Sequence, residues 1–116
     1  MKIRKRFLGE KHPAFADSLC HLALLNESLS FYGEAEDQYQ QALKIRTDVF
    51  GEDHPDVAET SNKLAELYRL QGRYSEAEPL YQKSIKIQKD LLGEEHPTYT
   101  QSISNLARFY RALGLN

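Results

Sequence analysis

One cysteine, Cys20, is all the thiol chemistry the chain possesses, so no disulfide can close within it and a reducing cytoplasm is the expected setting. Long apolar runs are missing as well. Nothing approaches the roughly 20 residues needed to cross a bilayer, so no membrane partner is expected. The opening Met1-Lys2-Ile3-Arg4 is not followed by the apolar stretch and cleavage site of an export signal. Charge of one sign is scarce: 15 Lys and Arg face 17 Asp and Glu, for a net charge of −2 and a pI near 6.1. That balance supplies no field to hold nucleic acid, which is excluded as a partner. Disorder is disfavoured too, because 41% of the 116 residues are apolar, enough for one domain with a core.

What is present is repetition. Leu8-Gly9-Glu10-Lys11-His12-Pro13, Phe50-Gly51-Glu52-Asp53-His54-Pro55 and Leu92-Gly93-Glu94-Glu95-His96-Pro97 stand 42 residues apart. The same register aligns Leu22, Leu64 and Leu106, then Ala23, Ala65 and Ala107, and pairs Tyr39 with Tyr81 and Ala35 with Ala77. A fixed period of this length marks a repeat array.

Within the central unit, Val57, Leu64, Ala65, Leu67 and Tyr68 recur at helical spacing and predict a helix A over about 56–70, with Gly72 just past its end. Ser75-Glu76-Ala77-Glu78 reads as a capping box that opens helix B, with Pro79 in or just beyond the first turn. Ala77, Leu80, Tyr81, Ser84, Ile85 and Leu91 give its apolar face, and Gly93 stops it. Pro55 and Pro97 suit the first turn of the next helix A. The prediction is an all-α solenoid of antiparallel helix pairs that must stack to bury their second faces.

The register assigns residues 1–8 to the tail of a preceding helix B, 9–50 and 51–92 to full repeats, and 93–116 to a helix A alone. Helix A of the first repeat is expected from Pro13 to about Leu29, its helix B from Gly33 to Phe50, and the last helix A from Thr98 to Leu113. Both ends then fall in mid-repeat, as in a piece truncated from a longer array. In the first repeat Asn26, Ser30 and Phe31 replace the residues aligned with Tyr68, Gly72 and Arg73, so its turn is expected to be less regular, with Phe31 tucked beneath it.

The pattern Leu64-Ala65-x-Leu67-Tyr68-x-x-Gln71-Gly72-Arg73-Tyr74-x-Glu76-Ala77-Glu78-x-Leu80-Tyr81 resembles the tetratricopeptide repeat. With Lys44-Ile45-Arg46 and the Gly51-to-Ala58 turn, it is similar to the 42-residue subclass of kinesin light chains and many bacterial repeat proteins. The resemblance implies a right-handed superhelix whose A helices line a concave groove that takes a peptide from a protein partner. On that footing the early groove position falls on Asp17, Glu59 and Gln101, and the family's asparagine position on His21, Lys63 and Asn105. One turn later come Leu24, Glu66 and Arg108, with Cys20, Asn62 and Ser104 alongside. The family's asparagine is kept only at Asn105, and Asp17, Glu59 and Glu66 stand among Lys63 and Arg108. A tryptophan-acidic ligand of the kinesin-light-chain kind is therefore not expected, nor a clamp for a peptide carboxyl terminus.

Other candidates have plainer readings. His12, His54 and His96 belong to successive turns separated by a helix pair, roughly 10 Å or more, whereas one zinc ion needs ligands at about 2 Å. A turn or cap role is expected, with no metal and no cofactor. Lys2, Arg4, Lys5 and Arg6 align with the end of a helix B, where cations complement the dipole. The tyrosines at repeat spacing are expected in the core. Cys20 and His21 point about 100° apart on a helix, so they form no nucleophilic pair, and no enzyme motif is found. Against peptide binding stands a structural alternative: a spacer, or a homodimer formed through the uncapped terminal helices, the last of which carries apolar residues on more than one side, Tyr99, Ile103, Phe109, Tyr110 and Leu113.

Overall fold

The computed structural model describes residues 13–114, which form five helices and, among those residues, no strand. They are α1 (Pro13–Ser28), α2 (Tyr32–Phe50), α3 (Pro55–Leu70), α4 (Tyr74–Leu92) and α5 (Pro97–Ala112). The basic residues at 2–6 and His12 lie outside the described residues.

Between repeats, the histidine turn works as a stop and a start. Gly51 and Gly93 both take φ +88°, a conformation open to glycine, and donate back to Thr47 and Lys89. His54 Nδ1 then accepts the amide of Asp56 at 3.0 Å, and His96 Nδ1 that of Thr98 at 3.1 Å, which satisfies a free donor of each new helix. Proline follows as the first helical residue in both.

Within each hairpin the turn is a backbone device. Gly72 sits at φ +77° and Arg73 donates to the Tyr68 carbonyl at 2.8 Å; Ser30 sits at φ +68° and Phe31 donates to the Asn26 carbonyl at 2.7 Å. The first turn is thus as regular as the second, against expectation, because backbone hydrogen bonds define it and serine accepts the left-handed strain. Phe31 is exposed rather than tucked under the turn. The capping box is also absent: α4 begins at Tyr74 directly after the turn, with no side-chain cap. Ser75 is already the second helical residue, so it cannot be the extended residue that a capping box needs at the N-cap. Glu76 instead takes two bonds from Arg73, at 2.8 and 2.7 Å, and Glu78 accepts from Tyr110. Pro79 is the sixth residue of α4 and lies inside the helix, deeper than expected because α4 begins before Ser75, so it removes the backbone bond that this position would make to Ser75.

Each hairpin closes on fully buried alanines, Ala23 with Ala35 and Ala65 with Ala77, and the main core joins both hairpins to α5 through Tyr39, Tyr81 and Phe109. The Tyr81 and Phe109 rings lie 5.1 Å apart. Contact between hairpins has a repeating polar edge. Tyr68 donates to Glu36 at 3.2 Å and accepts from Gln40 at 2.7 Å; in the next unit Tyr110 donates to Glu78 at 2.7 Å and accepts from Gln82 at 3.3 Å. Arg73 adds a bond to Glu36 at 2.6 Å while lying 4.4 Å from the Tyr68 ring centre. The resulting stack measures 50 × 32 × 20 Å, with a radius of gyration of 14.7 Å. A compact domain of this length is expected near 13 Å.

Ser30 offers a direct test of the turn. Ser30→Gly relieves about 1–2 kcal/mol of left-handed strain and loses part of that to glycine's unfolded-state entropy. The expected outcome is a gain of about 0.5–1 kcal/mol in urea unfolding, whereas an unchanged midpoint means that the serine is unstrained.

Candidate functional site

The inner positions of α1, α3 and α5 line two cavities in register, each roofed by successive A helices and floored by the tail of the helix B between them. Between α1 and α3 a cavity of about 450 Å³ is lined by Asp17, Cys20, His21, Leu24, Glu59 and Lys63, with Arg46 of α2 at the floor. Between α3 and α5 a cavity of about 580 Å³ is lined by Glu59, Asn62, Lys63, Glu66, Gln101 and Asn105, and its floor is Ile87, Gln88, Leu91 and Leu92 of α4. A smaller cavity of about 100 Å³ brings Glu66 and Asn105 to Arg108 and Arg69. Of the positions implied by the family resemblance, Ser104 alone lines none of the three, and it is exposed on α5.

Sequence reasoning missed the floor. Arg46 and Gln88 stand 42 residues apart, directly after the aligned Ile45 and Ile87, and both are buried. The Arg46 side chain, 7% exposed, reaches past α1 and α3 to donate to Asp17 Oδ1 and to Thr60 Oγ1, each at 2.7 Å, with Glu59 at 3.6 Å. Burial works against the charge, but the Asp17 bond and nearby carboxylates outweigh it, so the guanidinium pKa stays above its ordinary value. In the next unit Gln88 accepts a hydrogen bond from Ser102, the residue aligned with Thr60. The signal that could have found both is a polar residue at a repeat position where the apolar face of helix B continues.

Side chains on the walls are partly committed. Asn105 accepts from Arg108 and, at 3.5 Å, from Gln101. The Oδ1 atom of Asn62 is buried without a hydrogen-bond partner among the described residues. Burial raises the Cys20 thiol pKa, against the nearby Arg46, so Cys20 is a neutral wall residue at physiological pH rather than a nucleophile. No group of three or more histidine, cysteine or carboxylate side chains among the described residues is placed to hold a metal ion. No described helix is long and apolar enough to cross a membrane.

Arg46 holds the first two hairpins together mainly by its buried stem, since Asp17 and Glu59 are largely in solvent and their pairing is screened. Arg46→Ala is expected to cost about 2–3 kcal/mol in urea unfolding, and Arg46→Gln only about 1 kcal/mol, because glutamine fills the aligned site at 88. Equal losses for the two variants would show that the charge, not the fill, is what matters.

Comparison with known proteins agrees with the fold. A tetratricopeptide repeat family model matches residues 14–90 and, in a second overlapping match, 62–115. The crystal structure of a putative kinesin light chain from Podosopora anserina, with nearly identical TPR-like repeats, superposes with a TM-score of 0.86 at 29% identity, covering 98% of this chain and 54% of that one. A variant of the same protein gives 0.85. The crystal structure of BtubC (BKLC) from P. vanneervenii gives 0.78 at 25% identity, covering 84% of this chain and 38% of that one. The chain therefore spans about half or less of the length of these relatives. No curated protein matches it. Tetratricopeptide repeats build all-helical solenoids that mediate protein–protein interaction, and with matches running from residue 14 to 115 this chain belongs to the tetratricopeptide repeat family.

Proposed function

We propose that the groove along α1, α3 and α5 binds an extended segment of a protein partner. The observation that carries this reading is the pair of polar-walled cavities in register, of about 450 and 580 Å³, between successive A helices. Each is large enough for a side chain, and the wall amides of Gln101 and Asn105 stand ready to bond a peptide backbone. Binding of this kind orders a flexible segment against preformed donors and acceptors, without chemistry on it. The whole protein's partner is of the same class, a protein or peptide, and no cofactor takes part.

Peptides selected from a random display library, titrated into the labelled chain, test the reading by nuclear magnetic resonance. Amide shifts are expected to cluster at His21, Asn62, Lys63, Gln101 and Asn105. Shifts confined to the outer faces of α2 and α4, around Lys44 and Lys86, contradict it, as does failure to select any peptide.

A second reading, self-association, has its own observation. Leu22 and Leu25 are 46% and 56% exposed, while the aligned Leu64 and Leu67 are 3% and 0% exposed beneath α2. An uncovered face of this kind favours contact with a second copy. Light scattering on a sizing column is expected to give a dimer that Leu25→Glu dissociates; a monomer at every concentration excludes it.

A further inference from the structure

The two cavities differ in charge, and the difference originates in the floor. In the cavity between α1 and α3, the carboxylates of Asp17 and Glu59 face the guanidinium of Arg46 and the ammonium of Lys63. In the cavity between α3 and α5, Asp56, Glu59 and Glu66 line the walls with Lys63 as the one lining cation, because the floor position holds the neutral Gln88; Glu59 also lies 3.6 Å from Arg46, and Glu66 borders Arg69 and Arg108 in the smaller cavity. Among the described residues, the side chains of Asp56 and Glu66 make no hydrogen bond or ion pair. Two helix N-termini border this cavity, at Pro55 and Pro97, and by themselves would favour an anion. Their second-residue amides are already taken by His54 and His96, and the C-terminal turn of α4 adds partial negative charge from the floor. Leu91 and Leu92, both exposed, give the same floor an uncovered apolar surface.

Resting on the groove reading above, we propose that the cavity between α3 and α5 selects a basic segment: a bulky apolar side chain seated on Leu91 and Leu92, flanked by lysine or arginine facing Glu59 and Glu66. Charge complementarity sets the choice. An acidic flank would meet the carboxylates of Asp56 and Glu66, which make no ion pair among the described residues, with Lys63 the one cation on the lining, whereas a basic flank is drawn in and oriented.

The test is fluorescence polarisation of the full chain with three dye-labelled peptides that share one length. One has a central leucine flanked by lysines, the second replaces the lysines by glutamates, and the third replaces the leucine by serine. The lysine peptide is expected to bind about tenfold or more tightly than the other two, and to weaken as salt rises. Glu59→Lys with Glu66→Lys should abolish its advantage, while Glu34→Lys on the outer face of α2 should leave it intact. Circular dichroism confirms that each variant is folded, and Glu59→Gln with Glu66→Gln provides a milder form of the same change. If the glutamate peptide binds as tightly as the lysine peptide, yet loses affinity in a cavity variant, the charge preference is overturned and the groove reading stands. Equal binding of the serine peptide overturns the apolar anchor. Failure of all three peptides, and of library-selected ones, overturns both readings.

Discussion

Every helix A in this fold must be covered twice, once by its own helix B and once by the helix B before it. Helix α3 meets that condition: Val57, Ala58, Leu64, Leu67 and Tyr68 are all buried between α2 and α4. Fully buried alanines close each hairpin, and the tyrosine contacts to Glu36 and Gln40, repeated at Glu78 and Gln82, hold hairpin to hairpin. Because each unit buries its second face only on a neighbour, stability and curvature are properties of adjacent pairs. The inner face is left over from this packing. It is the side of α3 that neither α2 nor α4 covers.

That leftover face is nonetheless not independent of the stack. The tails of α2 and α4 reach under the A helices and place one buried polar side chain beneath each cavity, Arg46 in the first and Gln88 in the second. A substitution on the convex-side helix thereby changes the charge of the concave side. Arg46 pairs with Asp17 and lies 3.6 Å from Glu59, whereas the neutral Gln88 adds no cation to the cavity lined by Asp56, Glu66 and Lys63. On the proposed reading, two adjacent segments of one groove acquire different preferences while the backbone stays the same.

Much of the fold is legible in the sequence because the period repeats local chemistry: Gly51 and Gly93 stop helices, and the prolines that follow start them. Helix ends came within two residues, and the histidines of the turns at 54 and 96 are caps. Other features escape sequence because they depend on what lies across an interface. Ser75 and Glu78 have the spacing of a capping box, yet the tight turn leaves no residue to cap, and Glu78 turns to Tyr110. Phe31 has the hydrophobicity of a core residue but sits on a turn whose shape is set by backbone bonds. Ser104 shares the register of Asn62 but faces away from the cavities. The floor residues were hidden because a polar side chain on an apolar stripe acquires meaning only when its partners, Thr60 for Arg46 and Ser102 for Gln88, are seen on the next helix.

The most direct measurement exchanges the two floors. In the double variant Arg46→Gln with Gln88→Arg, the guanidinium moves from beneath the cavity between α1 and α3 to the one between α3 and α5. Amide shifts induced by a lysine-flanked leucine peptide are predicted to move the opposite way, away from the guanidinium, from Gln101 and Asn105 in the parent chain to Asp17 and His21 in the variant. A folded variant whose shifts remain at Gln101 and Asn105 would contradict the claim that the floor decides what each segment of the groove binds.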